Sequence, residues 1–273
     1  DTSYRGRFDW NADRYGVSAE HLSVGTNFNP EVGFLRRTAF KRSYGQARFS
    51  PRPKGFLAVR KLFYIGSVDY ITDQNNRPES KEVQGNFQFE LNNSDTFSFD
   101  VSRNYERLAA RFEVGKNLFV PAGEYNMTQS HATYSFGQQR PVSGSLTLAR
   151  SGFYGGTLTE ATWNGRVELS RQFYLEPQVS WNRVDVPQGK SNSNLYSSRA
   201  TYTLSTRMFV SALVQYQSRT DSVTTNARFR WEYRPGSELF VVYSDGRTTL
   251  NSSGYPDLQS RSFVVKVTRL LRW

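Results

Sequence analysis

The sequence predicts an all-β fold, an antiparallel up-and-down transmembrane β-barrel with about 15–16 strands, and three observations predict it. The first is alternation. In "ARFRWEY", Ala227, Phe229, Trp231 and Tyr233 interleave with Arg228, Arg230 and Glu232. Neighbouring side chains of a strand point to opposite faces, so one face here is apolar and the other is charged. The second is composition. Only 37% of residues are hydrophobic, yet 15% are aromatic, whereas a β protein with a packed interior spends more on Val, Ile and Leu. No run approaches the roughly 18–20 consecutive apolar residues of a membrane-spanning helix. Barrel strands, by contrast, show lipid only at every second residue. The third is the connections, which alternate between short and long. "NAD", "SPRPKG", "LNNSD", "FGQQRP" and "RPGS" are short; "GTNFNPEVGFLRR", "ARFEVGKNLFVPAGEY", "SGFYGGTLTE", "DVPQGKSNSN" and "TTLNSSGYPDLQS" are longer and polar or Gly-rich. Short turns at one end and long loops at the other mark an up-and-down outer-membrane barrel. A sandwich with Greek-key crossovers does not sort its loops in this way.

Taken in order, the first strand sets Tyr4, Gly6, Phe8 and Trp10 against Arg5, Arg7 and Asp9. Val83, Gly85, Phe87, Phe89 and Leu91 interleave with Gln84, Asn86, Gln88 and Glu90, and Phe97, Phe99 and Val101 follow with Ser98, Asp100 and Ser102. Further on, Ala161, Trp163, Gly165, Val167 and Leu169 alternate with Glu160, Thr162, Asn164, Arg166 and Glu168. Leu175, Pro177, Val179 and Trp181 repeat the pattern, as do Val210, Ala212, Val214 and Tyr216. Two segments, "FLAVRKLFYIGSVDY" and "EYNMTQSHATYSF", alternate only in part, and Phe209, Leu213, Phe240 and Val242 fall on the polar side. The chain closes on "SFVVKVTRLLRW", with Phe263, Val265, Val267, Leu271 and Trp273 on one face and Arg269 interrupting it. Bacterial outer-membrane barrels end in a similar strand with a terminal aromatic, which the barrel-assembly machinery reads.

Lipid rather than a protein core is the expected solvent of the apolar face. Aromatic residues fall near strand ends, where interfacial girdles belong. Trp10, Trp181, Tyr216, Tyr233 and Trp273 are the interfacial candidates, with Tyr70, Tyr105 and Tyr243 in similar places. On the other face, Arg5, Arg7, Arg166, Glu168, Arg228, Arg230 and Glu232 are expected to point into a lumen, accompanied by Arg42, Arg48, Glu90, Glu160 and Glu176. Such charges either set solute preference in a pore or pair across strands and hold a polar wall together.

The absence of Cys excludes disulfides, thiol catalysis and zinc–thiolate sites. Lys+Arg 35 against Asp+Glu 24 gives 35 − 24 = +11. These charges are spread along the chain and mixed with acids, a distribution that suits anionic lipid headgroups and lipopolysaccharide phosphates better than nucleic acid. His21 and His131 are the two histidines and neither has a carboxylate pair nearby, so no metal is expected. No Gly-x-Ser-x-Gly turn and no phosphate-binding loop before a helix occurs. No catalytic residue and no cofactor is therefore expected, and the chain is not read as an enzyme. Phe153 and Tyr154 are expected to be exposed loop aromatics able to stack on sugar rings.

Placing the terminal strand with its end in the periplasm makes the first strand descend as well, which leaves an odd count. A single-chain barrel with a periplasmic amino terminus has an even number of strands. At least one strand is therefore expected before Asp1, or else the strands are miscounted between residues 108 and 123.

The stretches "FNPEVGFLRR" (Phe28 to Arg37), "VPAGEY" (Val120 to Tyr125), "GFYGG" (Gly152 to Gly156), "RWEYRPGSELFVVYSDGR" and "FVVKVTRLLRW" occur in this order. Together they resemble the carboxy-terminal portion of a large family of bacterial envelope proteins of unknown function. In that family a family 9-like carbohydrate-binding domain precedes a long β-barrel region. The resemblance implies an outer-membrane location, a sugar-related module upstream, and residues 1–273 as the carboxy-terminal section of a longer barrel. The functional expectation is a channel or transporter-like barrel handling solutes such as oligosaccharides. Its partners would be outer-membrane lipid and lipopolysaccharide, the assembly machinery and a saccharide. The alternatives are a non-transporting anchor for a carbohydrate-binding domain, an embedded outer-membrane hydrolase and a soluble β-sheet adhesin.

Overall fold

The computed structural model describes residues 1–29, 37–56, 58–250 and 256–271. Its first strands are β1 (Ser3–Asn11), β2 (Tyr15–Val24), β3 (Phe40–Phe49), β4 (Val59–Asp73), β5 (Pro78–Leu91) and β6 (Thr96–Leu108). A short hairpin follows, β7 (Phe112–Gly115) and β8 (Leu118–Val120). Next come β9 (Gly123–Phe136), β10 (Val142–Phe153), β11 (Gly156–Glu168), β12 (Phe173–Val186) and β13 (Gly189–Ser205). The chain finishes with β14 (Met208–Gln217), β15 (Ser222–Arg234), β16 (Ser237–Thr248) and β17 (Asp257–Thr268). The described residues contain no helix.

Fifteen strands form one antiparallel up-and-down sheet in sequence order, from which β7 and β8 stand apart as a two-stranded sheet. The all-β, up-and-down expectation holds. Closure does not: the sheet is not closed as a barrel, and β1 and β17 are its two edges. Strand parity rules out antiparallel closure. Each strand reverses its neighbour's direction, so the first and last of fifteen run the same way and cannot share an antiparallel ladder. The β7–β8 hairpin lies in the 108–123 stretch where the strand count was in doubt, and it adds nothing to the large sheet.

Loop lengths sort less cleanly than the sequence suggests. Long stretches of sequence separate β2 from β3, β6 from β9 and β16 from β17, but "SGFYGG" and "DVPQGK" are tight turns at Tyr154–Gly155 and Pro187–Gln188. Tyr154 (φ 45) and Gly155 (φ 83) both adopt the left-handed conformation that a two-residue hairpin turn requires. The strands simply run further than their composition indicates. In β4 the phase slip has a local cause, a register shift between Val59 and Lys61 where an extra residue changes which face the next side chain meets.

Two compact units divide the chain. The first comprises Asp1–Tyr134, Leu148–Thr159 and Val184–Ser191; the second comprises Ser135–Thr147, Glu160–Arg183 and Asn192–Trp273. In the first unit, register carries one row of small residues across the apolar face: Trp10, Val17, Ala47, Gly66, Gly85 and Val101. One step towards the 12–14 turn lies an aromatic row, Tyr15, Phe49, Tyr64, Phe87 and Phe99. The same unit holds a buried cluster of Leu118, Val120, Met127, Tyr154, Val184 and Val186. In the second unit, the out-of-phase Phe209 and Phe240 lie directly opposite Arg230 on its two neighbouring strands, and the Arg230 guanidinium sits 5.7 Å from the centre of the Phe240 ring. An apolar ring on the polar face therefore shields a cation.

Candidate functional site: the polar face of the sheet

Pairing register places Arg7, Glu20, Tyr44, Asp69, Glu82 and Asn104 in one row across β1 to β6 of the first unit. Arg42 is its hub. Its Nη1 donates to Glu20 Oε1 at 3.2 Å, and its Nη2 donates to Asp69 Oδ2 at 2.5 Å. Arg5 Nη2 donates to the other Glu20 oxygen at 2.5 Å, and Arg7 pairs with Asp9. The arginines thus gather on β1 to β3, while β4 to β6 carry acids and amides. Tyr44, Gln46, Ser67, Asp69, Gln84 and Asp100 line a recess of about 350 Å³ there. Asp100 accepts from Gln84 at 3.3 Å and from Asn86 at 2.7 Å.

The β7–β8 hairpin lies over the loop end of this face. Met127 and Tyr154 line one polar cavity together with Asp69, Glu82, Asn104 and Glu106, and Tyr154 Oη donates to Glu106 Oε2 at 2.8 Å. Val184 and Val186 continue at two-residue spacing the β12 row of Gln178, Ser180 and Asn182. The row turns apolar where Leu118 and Val120 of the hairpin settle on it. Tyr154 is only 8% exposed, which corrects the expectation that it stacks on sugars; Phe153 is half-buried against it, with ring centres 4.7 Å apart. Burial, reinforced by the Glu106 carboxylate, pushes the Tyr154 hydroxyl well above its usual range.

In the second unit, Arg166, Glu168 and Glu176 line a cavity of about 660 Å³ with Ser143, Ser145 and Asn164. Arg166 Nε donates to Glu168 at 3.1 Å, Glu176 lies 3.7 Å away, and the guanidinium sits 4.0 Å from the Tyr174 ring centre. Arg230 pairs with Glu238 rather than with a residue on its own strand. Exposed Arg228 has neither a hydrogen bond nor an ion pair among the described residues. Glu232 is used differently: its Oε1 accepts the Gly236 backbone N–H at 3.0 Å and closes the turn. The structure thus brings Arg166 and Glu168 together, brings Arg5 and Arg7 beside Glu20, and sends Glu232 to a hairpin end.

The interfacial candidates are also spread out. Trp10 is 52% exposed at the edge of the small-residue row. Tyr216 stacks on Tyr196 at 6.3 Å, and Trp181 is exposed. Tyr233 meets Trp231 edge-on at 6.0 Å and donates to the Thr268 carbonyl at 3.0 Å. Trp273 lies outside the described residues. Sequence reading missed the best-formed aromatic feature, a ladder with centroid spacings of 5.3 Å (Tyr15–Phe49), 6.2 Å (Phe49–Tyr64) and 5.1 Å (Tyr64–Phe87). Each ring lies near a turn, and only the turn positions reveal that they fall in line. Tyr64→Ala breaks two of these contacts, and at about 0.5–1.5 kcal/mol per aromatic pair the loss is expected to be about 1–3 kcal/mol beyond the area lost, read as a lower denaturation midpoint.

Also missed was Asp245, on the apolar face near the loop end of β16. It accepts from Arg247 Nε at 2.6 Å and Arg261 Nη2 at 3.0 Å, and its side chain is 7% exposed. His21, its ring tilted by 35° against Tyr4 at 5.9 Å, shares a hydrogen bond of 3.0 Å with Ser43. Among the described residues no group of three or more His, Cys, Asp and Glu side chains is placed to hold a metal ion. A scan against protein-family models finds no match to this chain, and neither does a search of curated proteins.

Proposed function

We propose that the chain forms the wall of a bacterial outer-membrane channel that handles hydroxyl-rich solutes such as oligosaccharides, with the β7–β8 hairpin as its constriction. The single observation behind this reading is the contrast between faces. One carries an aromatic ladder and small apolar residues, suited to lipid; the other carries arginine–carboxylate networks beside an amide- and hydroxyl-lined recess, suited to water. Sugar hydroxyls both donate and accept, and Gln46, Ser67, Gln84, Asn86 and Asp100 offer both partners within one recess. The motifs resembling an envelope family in which a carbohydrate-binding domain precedes a long β-barrel support the same substrate class. In a bilayer the open edges of β1 and β17 need pairing, since unsatisfied backbone groups cost several kcal/mol each in hydrocarbon. An odd number of further strands would supply antiparallel ladders on both sides.

The test is single-channel conductance in a planar bilayer, with insertion verified by vesicle flotation. Replacing residues 112–120 with a short Gly-Ser link is expected to raise conductance severalfold, and a maltooligosaccharide is expected to block the current. An inserted protein that stays silent with and without the hairpin sinks the channel reading. It would favour a second one, a non-transporting anchor for a carbohydrate-binding domain. The dense pairing around Arg42 supports that reading, because paired charges hold a wall together without selecting a solute.

A further inference from the structure

We infer that the apolar face of the first unit carries a docking groove for one anionic phospholipid, an inference that rests on the membrane reading above. The groove has a volume of about 700 Å³. Val17, Ala47, Gly66 and Gly85 form its floor, Trp10 closes it at the β1 side, and the rings of Tyr15, Phe49, Tyr64 and Phe87 form the wall nearest the turns. A Cβ built on Gly66 or Gly85 meets no atom within 4 Å, so the floor is low because the side chains are missing, not because a neighbour fills the space. Tyr15 and Tyr64 are 53% and 45% exposed, so the wall stands free on its outer side.

Charge at the turn end decides the occupant. Ser50 N donates to the Arg14 carbonyl at 2.7 Å, so the 12–14 turn and the start of the 50–58 connection lie side by side. Arg14 belongs to the first of these segments and Lys54 to the second, while Arg48 donates to the Ala12 and Asp13 carbonyls. Arg52 and Lys61 are taken up by Asp13, whose carboxyl Arg52 holds below the usual carboxylate range. Exposed Arg14 and Lys54 have no ion pair among the described residues. Arg14 immediately precedes Tyr15 of the aromatic wall. An acyl chain along the groove therefore leads to a headgroup position where two uncompensated cations wait, the arrangement that recognises an anionic phosphodiester beside hydrocarbon. A zwitterionic headgroup gains far less there, because its own ammonium opposes the same cations.

Native mass spectrometry of the detergent-purified chain loaded with phosphatidylglycerol or phosphatidylcholine tests this. The wild type is expected to retain one phosphatidylglycerol and to release phosphatidylcholine. G66L/G85L fills the groove without backbone strain and is expected to abolish retention. Gly6→Leu adds the same bulk to open space outside the groove and is expected to leave retention intact. R14Q/K54Q is expected to weaken retention roughly tenfold. Equal retention of phosphatidylcholine, or undiminished retention by G66L/G85L, overturns the inference. A change in oligomer mass instead of lipid retention overturns it too, by making the groove a contact between copies. A chain that fails to float with vesicles defeats the membrane reading and this inference together; one that floats yet retains no lipid defeats the inference alone.

Discussion

Tyr154→Ala is expected to lower stability by about 3–5 kcal/mol, the range for emptying a large aromatic from a packed site. Tyr154 is the largest side chain of the six buried residues that form a cluster with the hairpin residues Leu118 and Val120, against which Leu108, Val114, Tyr125, Phe153 and Leu158 pack. The Phe112 ring of the hairpin also lies 6.0 Å from the Tyr154 ring, so the alanine variant removes that contact as well. Tyr154→Phe keeps the ring but leaves Glu106 without its donor, and is expected to cost about 1–3 kcal/mol. Urea unfolding in detergent distinguishes the two. A cost below about 1 kcal/mol for the alanine variant would mean that the hairpin is not held by this core. The raised hydroxyl adds a pH signature. Above the ordinary tyrosine range the unfolded chain loses its proton first while the folded chain keeps its own. Stability therefore falls as pH climbs through that window, and Tyr154→Phe removes the slope.

Gly144→Ala is the other severe case, with an expected loss of about 2–6 kcal/mol from backbone strain and overpacking together. Gly144 has φ 139, and a Cβ there would lie 2.1 Å from the Asn164 carbonyl oxygen and 2.8 Å from Gly165 Cα. Both obstacles are backbone, so no rotamer relieves them and the ladder itself must part. Gly45, Gly66 and Gly85 provide the contrast, because an added methyl group at each meets nothing within 4 Å. Alanine at those three is expected to change stability by less than about 1 kcal/mol. Heat-modifiable electrophoresis of the four variants reads the difference directly, and a Gly144 variant as stable as the other three would contradict the close approach seen here.

What the sequence made legible is what alternation encodes. Arg228 and Arg230 declare their face against Phe229 and Trp231 without reference to any other strand, and so do Tyr4, Phe8 and Trp10. What it hid depends on contacts between strands. The Arg5–Glu20–Arg42–Asp69 network joins four strands, and no spacing within one strand anticipates it. Asp245 sits on the face of Tyr243 and Phe263 because Arg247 and Arg261 neutralise it and the Tyr243 hydroxyl donates to it. Tyr154 looked exposed because "GFYGG" reads as a Gly-rich loop. Its left-handed turn instead lets β10 and β11 continue almost to the residue, and the ring then points back under the hairpin. Val184 and Val186, polar-face positions that turn apolar, were the one local sign that something covers that end.

The shared direction of β1 and β17 has a consequence for circular permutation. In most up-and-down barrels the two termini emerge at the same rim, and a few residues suffice to join them. Here β1 and β17 run the same way, so a chain leaving the end of β17 must turn back along the strand direction before it can enter the start of β1. Along the strand direction alone, a link from Thr268 back to Ser3 must rise by the length of a strand, about 40 Å for twelve residues at roughly 3.3 Å each. A flexible tether of that reach would leave the β17 edge bare, whereas a linker with the alternating pattern of its neighbours would itself pair with β17 as a further antiparallel strand.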